Sequence, residues 1–182
     1  MKRTRRILAL GAALLVAAGP AAAFDLRPDG ASVEAGIGEP GTYMAGVGLV
    51  WDWDFERMRR EAALTAHTEV LINRWRYNAV GGGEDELTHF VVLPSLRMRL
   101  DRGRSPWFVE LGIGVSWMDH HFATSRKSFG TRWNFHDVLG VGHAANGGRH
   151  EVALRWAHVS NGGARDPNPG QDFLQLRYVR RF

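Results

Sequence analysis

In the stretch "RWAHVSNGGARDPNPGQDF", His158 and Ser160 stand two residues apart, and Asp172 follows fourteen residues after the histidine. An imidazole can take the proton of a serine hydroxyl, and a carboxylate can hold that imidazole in the required tautomer. Together they turn a weak nucleophile into one that attacks an acyl ester. The same residue types also suit the polar end of a β-hairpin closed by a Gly-, Asn- and Pro-rich turn. His-x-Ser arises readily by chance, so the choice depends on where these side chains point. That depends on the strands that carry them.

The chain has 182 residues, and its first 23 read as a leader. A basic start (Lys2, Arg3, Arg5, Arg6), an apolar run over 7–18 and the small Ala21-Ala22-Ala23 ending make a secretory signal peptide, cut before Phe24. The apolar run is short for a helical membrane span. Without the leader, the Lys and Arg count falls from 23 to 19 and equals the 19 Asp and Glu. The high whole-chain pI therefore gives no argument for nucleic-acid binding. There is no cysteine, so the exported chain holds together without disulfides. The remaining 24–182 suffice for one domain.

Nothing in that domain has a convincing helical period. Eight alternating segments are separated by turn residues, at 31–38, 42–55, 61–76, 86–101, 106–118, 130–145, 149–160 and 172–182. The alternation is plainest in "PWFVELGIGVSWMD", where Trp107, Val109, Leu111, Ile113, Val115 and Trp117 share one face and Glu110, Gly112, Gly114 and Ser116 the other. The third segment sets Ala62, Leu64, Ala66, Val70 and Ile72 against Thr65, His67, Glu69 and Asn73.

A soluble sandwich or lipocalin-like barrel would bury the apolar face. A membrane barrel would turn it to lipid and keep small and polar residues inside. Aromatics near segment ends (Trp51, Trp53, Trp107, Trp117) and the pairing of glycines with Glu69, Arg97, Arg99 and Glu110 on the opposite faces favour the second. The chain also ends on an amphipathic strand closed by Phe182. The expected fold is all-β, an eight-stranded antiparallel transmembrane β-barrel. Pro94, inside the fourth segment, is expected to mark a bulge.

With both termini periplasmic, the connections 55–60, 101–105 and 146–148 become periplasmic turns, and 39–41, 77–85, 119–129 and 161–171 face the exterior. His158 and Ser160 share parity with Val152, Leu154 and Trp156, and Asp172 shares parity with Leu174, Leu176 and Tyr178. All three then point away from the lumen, at the same end of neighbouring strands, where facing residues can touch. The competing reading has both strands leave the membrane before these residues, which then sit in water.

The stretch "HVSNGG" followed by "DPNPGQDF" resembles the outer-membrane lipid A 3-O-deacylases of the PagL type. In that family a His-x-Ser-Asn motif ends the penultimate strand, and an acid fourteen residues after the histidine completes a triad. The resemblance implies His158 as base, Ser160 as nucleophile and Asp172 as the orienting acid, where the family usually has Glu. It also implies Asn168 as an oxyanion-stabilising residue, with Asn161 and a backbone N–H of the Gly162-Gly163 turn in support. The implied substrate is lipid A, or lipopolysaccharide, within the outer membrane lipids. No cofactor or metal is implied, no nucleic acid is expected as partner, and the oligomeric state, homodimer included, stays open. The alternative function is a small non-enzymatic barrel, structural or displaying loops.

Asp119, His120 and His121 form the one group suggestive of metal binding, but adjacent loop histidines without a second ligand cluster read better as solvated. "NAVGGGEDE" matches no phosphate loop and reads as a flexible outer loop. Phe129, Trp133 and Phe135 are expected to face lipid or line an acyl groove, and Arg57, Arg59 and Arg60 to lie in a solvated turn.

Overall fold

The computed structural model describes residues 26–39 and 41–182; the leader expected over 1–23 lies outside them. Eight antiparallel strands close into a barrel: β1 (Gly30–Gly38), β2 (Thr42–Arg59), β3 (Ala62–Asn78), β4 (Glu84–Arg99), β5 (Trp107–Met118), β6 (Trp133–Ala145), β7 (His150–Ser160) and β8 (Gln171–Arg181). Each strand pairs with its sequence neighbours, and β1 pairs with β8 to remove both edges.

The period of two decides what faces where. On β5, Trp107, Val109, Leu111, Ile113 and Val115 are exposed on the outer wall, while Phe108, Glu110 and Ser116 are buried inside. The same holds on β6 to β8, where Leu139, Val141, Val152, Leu154, Trp156, Leu174 and Leu176 form a continuous apolar exterior. Such a wall would be insoluble in water and suits a bilayer. Trp117 and Trp133 face each other across β5 and β6 near the end with the long loops, and Trp107 stands at the opposite end. This is the aromatic girdle of a transmembrane barrel.

The lumen is filled in layers. Toward the loop end, Trp75, Tyr77, Leu87, Phe122, Phe129 and Phe173 form an apolar plug. Below it Arg155 bonds Glu110 at 2.6 Å and Glu69 at 2.7 Å, Arg177 bonds Glu69 at 2.7 Å, and Arg97 bonds Glu151 at 2.7 Å and Glu110 at 3.0 Å. A lumen this narrow needs glycine opposite large side chains. A Cβ on Gly140 would sit 2.9 Å from Arg155 Cγ and 3.3 Å from Glu110 Cγ.

Four expectations change. β2 continues to Arg59, past its apolar band, so the turn after it is only 60–61. β2 also holds the bulge: Asp52 pairs with His67 and Glu56 with Thr65, so 53–55 oppose Ala66 alone. Ala66 is therefore buried, where strict alternation put it outside. At Pro94 the β4–β5 register is the same on both sides (Val92↔Val115, Ser95↔Gly112), so the proline interrupts the ladder without shifting it. Phe129 belongs to the lumenal plug, its ring 5.5 Å from that of Phe122, whereas Trp133 and Phe135 do face outward.

Candidate active site on the outer wall at the loop end

β7 and β8 end and begin at the same rim, and their register makes His158 and Asp172 direct cross-strand partners. His158 Nδ1 lies 2.8 Å from Asp172 Oδ1, with the side chains 30% and 45% exposed. A shorter carboxylate than glutamate therefore reaches the imidazole. This bond occupies Nδ1 and leaves Nε2 to face another group. Ser160 ends β7 on the same face, about 6.6 Å along the strand. Among the described residues no hydrogen bond joins Ser160 to His158.

The imidazole is held from several sides. The Trp156 ring stacks on it at 5.8 Å between centroids and 25° between planes. Gly170, at φ +71°, packs against the ring: a Cβ there would lie 2.7 Å from His158 Cε1 and 3.3 Å from Nε2. Across β6, Asp137 is the register partner of His158 and Phe135 that of Ser160, so a second carboxylate flanks the ring opposite Asp172. Sequence reading passed over Gly170 and Asp137. Gly170 reads as an ordinary turn glycine, and Asp137 becomes a neighbour only once the β6–β7 register is known.

The 161–170 connection is internally braced. Asn161 is buried; its Oδ1 accepts from Gly163 N–H at 3.0 Å and its Nδ2 donates to Arg165 O at 2.6 Å. Asn168 Oδ1 accepts from the Asn161 backbone N–H at 2.8 Å. That bond fixes which end of the Asn168 amide is committed, and leaves Nδ2 as the donor end. The Gly163 N–H is spent on Asn161, so Gly162 carries the turn's other backbone donor. A cleft of about 320 Å³ runs from Asp172 along the wall between Trp156, Leu174 and Ile37.

The other sequence candidates stay outside this site. His120 Nδ1 lies 2.8 Å from Asp119 Oδ1 in ion-pair geometry and its Nε2 lies 3.2 Å from Tyr77 OH, so it packs within its loop. Among the described residues there is no cluster of three or more His, Cys, Asp and Glu poised to hold a metal.

A family model described as lipid A 3-O-deacylase (PagL) matches residues 42–181. A lipid A deacylase PagL of Pseudomonas aeruginosa is 31% identical over 157 residues, covering 81% of this chain and 84% of that protein. One from Bordetella bronchiseptica is 35% identical over 77 residues, which is 42% of either chain. Among solved structures, the crystal structure of the outer membrane enzyme PagL superposes with a TM-score of 0.69 at 24% identity, covering 84% of this chain and 99% of that one.

Proposed function

The chain belongs to the PagL family of lipid A 3-O-deacylases, and we propose that it hydrolyses the 3-O-linked acyl ester of lipid A with Ser160 as nucleophile. The observation that carries this reading is the His158–Asp172 hydrogen bond of 2.8 Å on the apolar outer wall, with Ser160 on the same face. A substrate whose acyl chains lie in a bilayer can meet a triad on the lipid-facing wall and could not enter the packed lumen.

In the first half-reaction Ser160 Oγ attacks the ester carbonyl carbon while His158 Nε2 takes its proton. Asp172 holds the Nδ1–H tautomer and stabilises the imidazolium. The oxyanion of the tetrahedral intermediate is met by Asn168 Nδ2 and the Gly162 N–H; one such donor is worth on the order of 10²–10³ in rate. Collapse breaks the bond to the sugar oxygen, which leaves with the proton from His158, and the acyl group stays on Ser160. Water then attacks this ester with His158 again as base, and a 3-hydroxy fatty acid departs. Ser160 and His158 must approach by rotation about their side-chain bonds, since triad hydrogen bonds commonly tighten only with substrate bound. Asn161 supports the loop through its four bonds, the fourth being its backbone carbonyl accepting from the Ala164 N–H. The Trp156–Leu174–Ile37 cleft takes the scissile acyl chain.

In this reading the leader directs export and is removed, the barrel sits in the outer membrane, and the long loops face outward, where lipid A lies. The test compares lipid A by mass spectrometry from cells with and without the protein. Loss of one 3-hydroxyacyl chain is expected; an unchanged mass would leave a non-enzymatic barrel.

A further inference from the structure

Beside the site, the loops 119–132 and 161–170 enclose a polar cleft of about 570 Å³, with Thr124, Arg126, Lys127 and Ser128 on one side and Asp166 and Asn168 on the other. We infer that this cleft binds a phosphate monoester of the lipid A headgroup, with Arg126 and Lys127 as its ligands. The inference rests on the proposed deacylase reading and adds the headgroup contact to it.

The two cations are presented by a rigid device. Thr124 Oγ1 accepts from the N–H groups of Arg126 and Lys127 at 3.2 and 2.9 Å and donates to Lys127 O at 3.2 Å, closing a tight turn. Ala123 and Ser128 bridge across that turn, and Phe122 and Phe129 anchor its base in the lumenal plug. The other wall is tied on by Gly130 N–H donating to Pro167 O at 2.7 Å. The backbone that carries these cations therefore needs no ordering on binding.

The charges are available. The Lys127 side chain is only 17% exposed, yet its one ion pair among the described residues is a 3.6 Å contact with Glu39, itself 77% exposed. An ammonium has three donors, so one contact leaves the others for a ligand in the cleft that Lys127 lines. Asp166 opposes them as one carboxylate against two cations. The surrounding rim has the same bias: loops 119–132 and 161–170 carry Arg126, Lys127, Arg132 and Arg165 against Asp119 and Asp166. The neighbouring rim acids have cations or a histidine of their own nearby: Glu84 lies 3.9 Å from Arg76 and Asp85 3.8 Å from His120. Lipid A is a glucosamine disaccharide bearing phosphate monoesters, and charge-assisted contacts to phosphate are the strong ones. Asn168 lines this cleft and also serves the proposed oxyanion site, so a headgroup held here sits beside Ser160 with its ester within reach.

The test uses the full-length chain folded in detergent, with lipid A carrying its phosphates and the same lipid A dephosphorylated. The wild type should favour the phosphorylated substrate about tenfold in kcat/KM, through KM. Arg126→Ala/Lys127→Ala should lose that preference and Lys127→Arg should keep it. A double variant that retains the wild-type preference, with heat-modifiable migration intact, overturns the inference. A second measurement does not depend on turnover. Lys127 is the only lysine after residue 23, so its acetylation can be followed alone by peptide mass spectrometry in Ser160→Ala. Phosphorylated lipid A should slow the labelling, and dephosphorylated lipid A and millimolar inorganic phosphate should not. Equal protection by both lipids, or by free phosphate alone, overturns the assignment. If neither lipid is hydrolysed but phosphorylated lipid A still protects Lys127, the catalytic reading fails and the headgroup site stands.

Discussion

The barrel holds two sets of charged side chains that use the same chemistry in opposite ways. In the lumen, Arg97, Arg155 and Arg177 each bond carboxylates within a fully enclosed layer, and Glu69 and Glu110 each serve two guanidiniums. On the outer wall His158 and Asp172 share one hydrogen bond and remain part-exposed. Charges pinned by several partners in a sealed space are fixed in protonation and position. A pair with one bond, a free ring nitrogen and access to the membrane can pass a proton. One step of strand parity separates the two: Arg155 alternates with Trp156 on β7, and one faces the lumen while the other faces lipid.

Substitutions on the outer wall should have the largest effects. Ser160→Ala and His158→Ala should each lower deacylation by roughly 10⁴–10⁶, measured by release of 3-hydroxy fatty acid, with heat-modifiable migration unchanged. Neither side chain belongs to the packed interior. Asp172→Asn should cost about 10⁴, because the amide can favour the wrong tautomer. Near-normal turnover in that variant would move the acid elsewhere, with Asp166 the first candidate and Asp137 the second.

The lumen should behave in the reverse way. Arg155→Met leaves Glu69 and Glu110 undercompensated and should cost about 3–5 kcal/mol of stability, read from denaturant unfolding in detergent micelles. The activity of the folded fraction should stay near wild type. Glu34 sharpens this, since its nearest cation is Arg155 Nη1 at 3.8 Å and its carboxylate oxygens accept no hydrogen bond among the described residues. Glu34→Gln should be far milder than Arg155→Met. Gly170→Ala should lower kcat about tenfold by pushing the imidazole off its position, and it should also strain a backbone at φ +71°. The smallest effect is that of a chelator, which should leave activity intact.

Much of this was legible because alternation is a strong signal on a two-faced strand. The eight segments, the outward apolar wall, the rim position of His158, Ser160 and Asp172, and their common face all follow from parity. Features that depend on register were not legible. Alternation alone ends the second strand at 55 because Glu56, Arg57 and Arg59 lie beyond the apolar band, where pairing with β3 nonetheless continues. The bulge opposite Ala66 and the approach of Asp137 to His158 exist only between strands. Phe129 lies in a loop that folds back into the lumen, where parity has no meaning. Gly170 carries two signals at once, a turn and a close contact, and only the first shows in a chain of letters.

The proposed mechanism stands or falls with Ser160 as the nucleophile of a triad facing the bilayer. A lipophilic phosphonate ester, which traps an activated serine as a stable adduct, tests it most directly. The account predicts one adduct per chain, on the peptide bearing Ser160, with deacylase activity lost in step and no labelling in His158→Ala. Complete inhibition with Ser160 unmodified, or an adduct on another serine, would contradict it.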